Sequence, residues 1–323
     1  MSPRFDFAHE RMRVVSMLPL QRRTIGQTHM NVTAMSLGGA GLGGIFGPVS
    51  DEAGVSAVER ALELGMNWLD TSPYYLEAER RMGLALRGVP RSQYYLSSKV
   101  GTHPSRYLDY SADAASWTVD NSLKVLGVDY LDICFIHDPQ PAHLQTALGS
   151  GGAMEGLVEL KRQGVIKAIG IGVQDHALIR QAIDTGSLDV ALTVNDYTLL
   201  TQSVLKGVCD YAEPRGVGSV NGAALAMGLL SGRDPLRIGT PKWTPPQDEV
   251  QASIRVHEWC RERGVSVLAL ALQFSLRQER LACTLVGAAS AEEVQGCFDA
   301  ATEEIPASVW EELPNLLDEI RVR

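Results

Sequence analysis

Residues 131–172, LDICFIHDPQPAHLQTALGSGGAMEGLVELKRQGVIKAIGIG, contain two apolar runs separated by a helical pattern. The runs are Leu131–His137 and Ala168–Gly172, and both are typical of buried β-strands. Residues 154–163 between them have amphipathic helical spacing and stop before Gly164, a residue type that suits a helix C-cap. A helix between two strands predicts parallel pairing, because antiparallel neighbours need only a short turn.

The same alternation continues along the chain and predicts eight parallel strands. Amphipathic helical stretches separate them, including residues 54–64 and 111–126, and two helices fit before the last strand, at Asp248–Arg263 and Val265–Gln278. Eight such units favour a closed α/β barrel, the (β/α)8 TIM barrel, over an open doubly wound sheet. The six further strand-like runs are Ala34–Gly38, Asn67–Asp70, Tyr94–Lys99, Val190–Asn195, Gly218–Ala223 and Thr284–Gly287.

Three segments lie outside this alternation. Residues 22–37, RRTIGQTHMNVTAMSL, predict an N-terminal β-hairpin around Gly26-Gln27-Thr28 that plugs the bottom of the barrel. Residues 1–19 are predicted to be an extension, which leaves residues 20–323 as a single barrel domain. The segment Arg233–Asp248 contains four prolines, so we expect a loop at the barrel rim.

Composition excludes several classes of protein. The formal net charge of −9 argues against a nucleic-acid partner, which requires a cationic face. No apolar run approaches the ~20 residues of a membrane-spanning helix, and the run Val14–Leu20 is too short and interrupted for a signal peptide. Five scattered cysteines without a Cys-x-x-Cys motif predict buried thiols in a reducing cytoplasm.

Polar side chains end three consecutive predicted strands. The second strand ends in Asp70, the third in Lys99 and the fourth in His137, while Tyr74 and Tyr75 follow shortly after the aspartate. In a barrel of this kind the C-terminal ends of the strands form the active site. An acid, an amine, an imidazole and a phenol at one mouth predict proton-transfer chemistry.

Two other kinds of site are conceivable at the same strand ends. The spacing of His137, Asp138 and His143 allows two metal ligands, but no third stands out, so we predict no metal. Asp70 and Asp138 could be the paired carboxylates of a glycosidase, although the strand-end lysine and the tyrosine would then have no purpose.

Several motifs resemble those of the aldo-keto reductases. The resemblance is strongest to the branch of NAD(P)-dependent aldose dehydrogenases that act on L-fucose, D-threo-aldoses and L-galactose. Pyridoxal 4-dehydrogenase is a relative of this branch. The resemblance runs from about residue 20 to residue 301 and also implies a (β/α)8 barrel. The motifs are WLDTSPYY (68–75), YYLSSKVG (94–101), DYSAD (109–113), LGVDYLDICFIHDP (126–139) and VIKAIGIGV (165–173).

The resemblance implies a catalytic tetrad of Asp70, Tyr75, Lys99 and His137. A phenol has an ordinary pKa near 10, and an ammonium ~4 Å away contributes about 4 kcal/mol at an effective dielectric near 20. We therefore expect Lys99 to lower the pKa of Tyr75, and Asp70 to keep Lys99 charged and oriented. His137 would hydrogen-bond the substrate oxygen.

The resemblance also implies an extended nicotinamide cofactor across the barrel mouth. The glycine-rich LGGAGLGG (37–44) lacks the order and the strand–turn–helix setting of a Rossmann fingerprint, so it does not predict a Rossmann domain. The Ser-Asn pair that holds the nicotinamide amide in relatives aligns with Gly172-Val173, and Gln174 is the expected replacement. The full set of cofactor-binding residues implied is Gly38, Gly39, Ala40, Asp70, Gln174, Leu229, Gly287, Ser290, Glu293 and Cys297.

Two positions that the resemblance aligns favour NAD over NADP. Relatives that use NADP place a basic residue and an arginine where this chain has Gly287 and Glu293. A carboxylate would repel the 2′-phosphate, so we predict NAD. Alternatively, Glu293 completes a capping box with Ser290, which is compatible with poor phosphate binding.

Other positions depart from the family pattern. Leu76 and Ala78 replace the glycine and serine that follow the catalytic tyrosine, and the aromatic residue that stacks on nicotinamide aligns near Gly222. We expect Phe46 and Trp243 to form the substrate wall, together with the catalytic tyrosine and histidine.

The resemblance implies oxidation of an aldose or similar polyol to a lactone. Alternatives are a pyridoxal-like or other carbonyl substrate, another position of a sugar or glycoside, and a cofactor-binding sensor without turnover. The loops Thr102–Tyr110, Pro139–Gly152 and Arg233–Asp248 would set substrate specificity.

Overall fold

Eight parallel strands close into a barrel, as the alternating pattern predicted. A computed structural model describes residues 21–240 and 243–320, so the predicted extension at residues 1–19 lies outside the described residues. The barrel order is β10-β3-β4-β5-β6-β7-β8-β9, with every neighbouring pair parallel. The strands are β1 (Arg22–Thr24), β2 (Asn31–Thr33), β3 (Met35–Gly38), β4 (Trp68–Asp70), β5 (Tyr95–Val100), β6 (Leu131–His137), β7 (Ile166–Gly172), β8 (Val190–Val194), β9 (Gly218–Gly222) and β10 (Leu281–Gly287).

Helices connect the successive strands, and two of them, α9 and α10, fill the long interval before β10 as predicted. None of the helices within the described ranges is both long and apolar enough to cross a bilayer. The helices are α1 (Ala40–Gly43), α2 (Asp51–Glu63), α3 (Ala78–Ala85), α4 (Ala112–Leu126), α5 (Leu144–Leu148), α6 (Ala153–Gln163), α7 (His176–Asp184), α8 (Asp210–Ala212), α9 (Gln247–Arg263), α10 (Val267–Leu276), α11 (Ala291–Thr302) and α12 (Ala307–Ile320).

Helix ends follow the capping residues of the sequence. Ser111 caps α4 by accepting a hydrogen bond from the Ala114 amide, and Gly164 ends α6 in the left-handed conformation, both as predicted. Helix α2 begins three residues before the predicted residue 54. The reason is that the Ser50 hydroxyl caps it one turn earlier, where two acidic residues favour a helix N-terminus.

The predicted hairpin is present and packs against the barrel bottom. Strands β1 and β2 pair antiparallel, and Arg23 donates hydrogen bonds to three carbonyl groups around the end of α10 and the start of β10. Ile25 and Val32 are fully buried and pack in one cluster with Trp68 and Phe135 from the barrel strands. The hairpin therefore covers apolar side chains of the barrel interior that would otherwise meet water.

A second, larger apolar cluster lies between the strands and the surrounding helices. The five cysteines are unpaired and buried, consistent with the expectation of buried thiols. The apolar layer between strands and helices is packed, and the hairpin covers the bottom of the barrel. A functional site is therefore expected at the C-terminal ends of the strands.

Candidate active site

The barrel mouth is divided between glycine and polar strand ends. Strands β9, β10 and β3 are consecutive in the barrel, and each ends in glycine, as does β7. Strands β4, β5 and β6 are also consecutive, and they carry Asp70, Lys99 and His137 at their C-terminal ends. One side of the mouth therefore exposes backbone without side chains, and the opposite side carries the chemically active groups.

Asp70 and Lys99 form a buried ion pair. Lys99 Nζ donates to both carboxylate oxygens of Asp70, at 2.7 and 2.6 Å, and to the Thr71 carbonyl at 2.9 Å. Ser97 donates a further hydrogen bond to Asp70 Oδ1 at 2.6 Å. Burial by itself lowers the pKa of Lys99, but the negative charge of Asp70 and the neighbouring Tyr75 raise it above its usual value, so the amine stays charged.

Tyr75 lies above this lysine. Lys99 Nζ is 5.0 Å from the centroid of the Tyr75 ring. The expectation that Lys99 lowers the pKa of Tyr75 below its ordinary value is wrong for this arrangement. Burial of the phenol raises the pKa by more than the Lys99 charge lowers it, and the Asp70 carboxylate raises it further. Tyr75 is therefore a protonated phenol at neutral pH.

His137 is held as a neutral imidazole. Its ring meets that of Tyr75 edge-on, with 5.8 Å between the centroids, and its Nδ1 is 2.7 Å from the Thr102 hydroxyl. Burial and the charge of Lys99 lower the pKa of His137 to about 3. When Thr102 donates to Nδ1, the ring proton lies on Nε2, where it is available to a substrate oxygen.

A cavity of about 480 Å³ opens on these groups. Three members of the predicted tetrad line it, and Asp70 lies beneath them against Lys99. Of the other predicted residues, Gln174 and Trp243 line the cavity. Phe46 is 54% exposed and is not among the lining residues, so the structure does not bring it to this wall.

The glycine-rich stretch supports the catalytic segments. Gly39 donates its amide to the Asp70 carbonyl at 2.7 Å, and a Cβ on Gly39 would lie 2.7 Å from that oxygen. A Cβ on Gly43 would lie 1.7 Å from the Tyr75 carbonyl oxygen. Side chains are thus excluded where this stretch touches the backbones of Asp70 and Tyr75. The neighbouring Gly38 ends β3, and Ala40 begins α1 at the rim.

The N-terminus of α11 is capped by its own side chains. Ser290 Oγ accepts a hydrogen bond from the Glu293 amide at 3.3 Å, and the Glu293 carboxylate accepts one from the Ala289 amide at 2.8 Å. The capping interpretation of Glu293 is confirmed, with Ala289 as the donor. The Ala289 amide, which could otherwise donate to a bound anion, thus already donates to the Glu293 carboxylate.

The remaining predicted cofactor residues are placed differently. Gly287 ends β10 beside open space, because a Cβ there would have no atom within 4 Å. Cys297 is buried on α11. Leu229 is fully buried and is not among the residues that line the cavity; its carbonyl accepts hydrogen bonds from Ser253 and His257.

Two features of the mouth are compatible with a nicotinamide cofactor. Strand β7 ends at the cavity in Gly172, without a side chain, and at Gly222 the nearest atoms would lie 3.3 Å or more from a Cβ. Gln174 and Asn195 line the cavity, and the buried Oδ1 of Asn195 has no hydrogen-bond partner among the described residues. A carboxamide is a donor that would satisfy this oxygen.

The two alternative kinds of site are not supported by the geometry. Within residues 21–240 and 243–320, no group of three His, Cys, Asp or Glu side chains is placed to hold a metal ion. Asp70 is 3% exposed and bound by Lys99 through both oxygens, so its carboxylate is not free to act in glycoside hydrolysis.

Sequence reasoning missed several residues around the tetrad. Ser97 precedes Lys99 by two residues, and strand alternation would have placed both on the same inward face. No sequence signal identifies Thr102 as the partner of His137. Tyr74, which is not part of the implied tetrad, packs edge-on against the His137 ring with 6.0 Å between the centroids, and stacks on Tyr107.

Curated relatives cover most of this chain. L-galactose dehydrogenase of Arabidopsis thaliana is 32% identical over 89% of this chain and 90% of that protein. D-threo-aldose 1-dehydrogenase of Pseudomonas sp is 28% identical over 87% of this chain and 93% of that protein. Pyridoxal 4-dehydrogenase of Microbacterium luteolum is 29% identical, over 90% and 95% respectively.

Solved structures agree on the architecture. A holo-form aldo-keto reductase of Bacillus halodurans superposes with a TM-score of 0.73 at 22% identity, covering 94% of this chain and 96% of that one. At this identity the likeness shows the fold alone. The Aldo/keto reductase family matches residues 34–318. The resemblance inferred from the motifs is therefore confirmed: the chain belongs to the aldo/keto reductase family of oxidoreductases, whose members use nicotinamide cofactors.

Proposed function

We propose that this protein is an NAD-dependent dehydrogenase that oxidises an aldose or similar polyol, such as an L-fucose- or L-galactose-like sugar, to the lactone. The observation that carries the proposal is the cluster of Tyr75, His137 and the Lys99–Asp70 ion pair at one end of an open cavity. The relatives named for L-galactose and D-threo-aldoses support the choice of substrate class.

Each residue of the cluster has a definite task. Oxidation of a hydroxyl-bearing carbon removes a hydride from carbon and a proton from oxygen, and bound nicotinamide would supply the hydride acceptor. Tyr75 acts as the general base that takes the hydroxyl proton, and as the general acid in the reverse direction. The positive charge of Lys99 stabilises the tyrosinate that must form first, and Asp70 holds that charge in place. Neutral His137 donates a hydrogen bond to the substrate oxygen and so orients the carbon.

The choice of NAD rests on the end of the mouth near α11. Glu293 is an exposed carboxylate in the first turn of this helix, and the Ala289 amide just before the helix already donates to it. A 2′-phosphate carries a charge of about −1.5 to −2 and would meet like charge here. Adenosine without that phosphate meets no such repulsion.

Pyridoxal-like substrates are the second candidate. The observation in favour is the similarity to pyridoxal 4-dehydrogenase over nearly the full chain.

Either reaction is expected in the cytoplasm, because the five buried thiols suit a reducing compartment.

The test is to mix the pure protein with NAD and follow the absorbance of the reduced cofactor on a panel of neutral aldoses and pyridoxal. Turnover of L-fucose or L-galactose with release of a lactone supports the proposal. Turnover of pyridoxal alone replaces it with the second candidate. Tight cofactor binding without turnover of any substrate contradicts both and leaves a cofactor-binding protein without this activity.

A further inference from the structure

Asp138 holds an uncommon backbone conformation at the end of β6. Its φ is +48°, in the left-handed region that non-glycine residues seldom adopt, and its amide donates to the Gly172 carbonyl at 2.8 Å. The residue directly follows His137 and lines the same cavity. A strained residue that is held at a site by its surroundings is a reason to look for a role there.

The carboxylate of Asp138 has no partner in the described part of the chain. None of the hydrogen bonds or ion pairs of the described residues involves its side-chain oxygens. The residue is exposed at the rim, and partial loss of hydration raises its pKa. Other acids of this rim are engaged, since Asp113 pairs with Arg106 and Asp109 accepts from the Ser111 amide. Asp138 thus offers free acceptor oxygens to a ligand.

Aromatic residues share the barrel mouth with this carboxylate, and Tyr75 lines the same cavity. The charge of Asp138 contributes to the raised pKa of Tyr75, Tyr107 and Tyr110, after burial and, for Tyr107, after the neighbouring Tyr74. The Tyr107 ring, 55% exposed, stacks on Tyr74 with 6.0 Å between the centroids. A free carboxylate next to exposed aromatic faces suits a polyhydroxylated ligand, whose hydroxyls donate to the oxygens and whose C–H faces pack on the rings.

Within the described part of the chain, the lining of this cavity offers no free cation to an anionic ligand. Among the lining residues that the structure describes, Lys99 is the one lysine or arginine, and its charge is already matched by Asp70. A substrate carboxylate or phosphate would therefore face Asp138 without compensation.

We propose that Asp138 is a specificity-determining residue that accepts hydrogen bonds from the hydroxyl groups of a neutral polyol and excludes substrates that carry a carboxylate or phosphate. The proposal deepens the proposed function and rests on it, because it names the substrate class of the same cavity.

The test compares Asp138→Asn with the unmodified enzyme. Asparagine keeps the size of the side chain and tolerates a positive φ, so the backbone is retained while the charge is removed. The matched control is Asp120→Asn, an exposed carboxylate on α4 that does not line the cavity. Binding of L-galactose and of L-galacturonic acid is measured by calorimetry with reduced cofactor present, and kcat/KM is measured for both sugars in parallel.

The unmodified enzyme is expected to bind the neutral sugar at least tenfold more tightly than the uronic acid. Asp138→Asn is expected to weaken binding of the neutral sugar about tenfold, because a charged hydrogen-bond acceptor is lost. It is expected to strengthen binding of the uronic acid about tenfold, because the repulsion between two negative charges is removed. Asp120→Asn should change neither affinity.

Each other outcome overturns one of the two proposals. An affinity ratio that Asp138→Asn leaves within twofold of the unmodified enzyme contradicts the role of Asp138, whether or not sugars are turned over. Failure of the unmodified enzyme to bind the neutral sugar contradicts it as well. If the ratio shifts as expected but no sugar is oxidised, the Asp138 subsite stands and the dehydrogenase function fails.

Discussion

Lys99 Nζ donates to both oxygens of the Asp70 carboxylate, and the two residues are 1% and 3% exposed. Each charge is therefore kept in the protein interior by the other. Removing one partner of such a pair leaves an uncompensated buried charge, which costs more than the intact pair contributes. The pair links the stability of the barrel to its chemistry, because the same lysine acts on Tyr75.

Asp70→Asn is expected to lower the free energy of unfolding by about 3 kcal/mol, because Lys99 loses its counter-charge. Chemical denaturation measures the change. Glu319→Gln is the control, since it breaks an exposed ion pair with Arg255 and should cost less than about 1 kcal/mol. If the free energy of unfolding falls equally in the two variants, breaking the buried pair costs no more than breaking an exposed one, and the prediction is wrong.

The rate of oxidation is expected to increase with pH. Because burial keeps the pKa of Tyr75 above its ordinary value, the tyrosinate that accepts the substrate proton is a minor species at neutral pH. Its fraction rises about tenfold per pH unit below the pKa, so kcat/KM for oxidation should rise with that slope from pH 7 to 9. Reduction in the reverse direction uses the protonated phenol and should stay level. A level oxidation profile would contradict Tyr75 as a high-pKa base.

Leu76→Gly is expected to stabilise the protein. Leu76 is 61% exposed and has a φ of +50°, in the position where the family has glycine. Relief of the left-handed strain should raise the free energy of unfolding by about 1 kcal/mol, measured by chemical denaturation. Leu236→Gly is the control, because that leucine is also exposed, at 72%, and has no positive φ. If Leu76→Gly lowers the free energy of unfolding by as much as Leu236→Gly does, the left-handed backbone at Leu76 is not strained.

Glu293→Gln is expected to relax the choice of cofactor. Glutamine can still accept from the Ala289 amide but carries no charge, so kcat/KM with NADP relative to NAD should rise about fivefold. Glu292→Gln, one residue earlier on α11, is the control and should leave the ratio unchanged. An unmodified enzyme that uses NADP as well as NAD would remove the basis of this prediction.

The barrel was predictable because its signals are local. Apolar runs such as Leu131–His137 and capping residues such as Ser111 determine strands and helices within a few residues of themselves. The meeting of Asp70, Lys99 and His137 followed from topology, since parallel strands bring their C-terminal ends to one mouth.

Other features depend on distant parts of the chain. The pKa of Tyr75 was predicted in the wrong direction, because the lysine is visible in the sequence whereas the burial of the phenol arises from packing of separate loops. The contact of Thr102 with His137 and the left-handed backbone of Asp138 likewise follow from how the loops close over the mouth. No spacing rule in a single sequence reports them.

The central claim is that Tyr75 transfers the substrate proton. The most direct measurement is the rate of cofactor reduction by Tyr75→Phe and by the unmodified enzyme, with NAD and the neutral aldose that is turned over best. The account predicts a loss of about 10²- to 10⁴-fold in kcat, with NAD binding by fluorescence titration unchanged, because only the hydroxyl is removed. Turnover by Tyr75→Phe within a fewfold of the unmodified enzyme would contradict it.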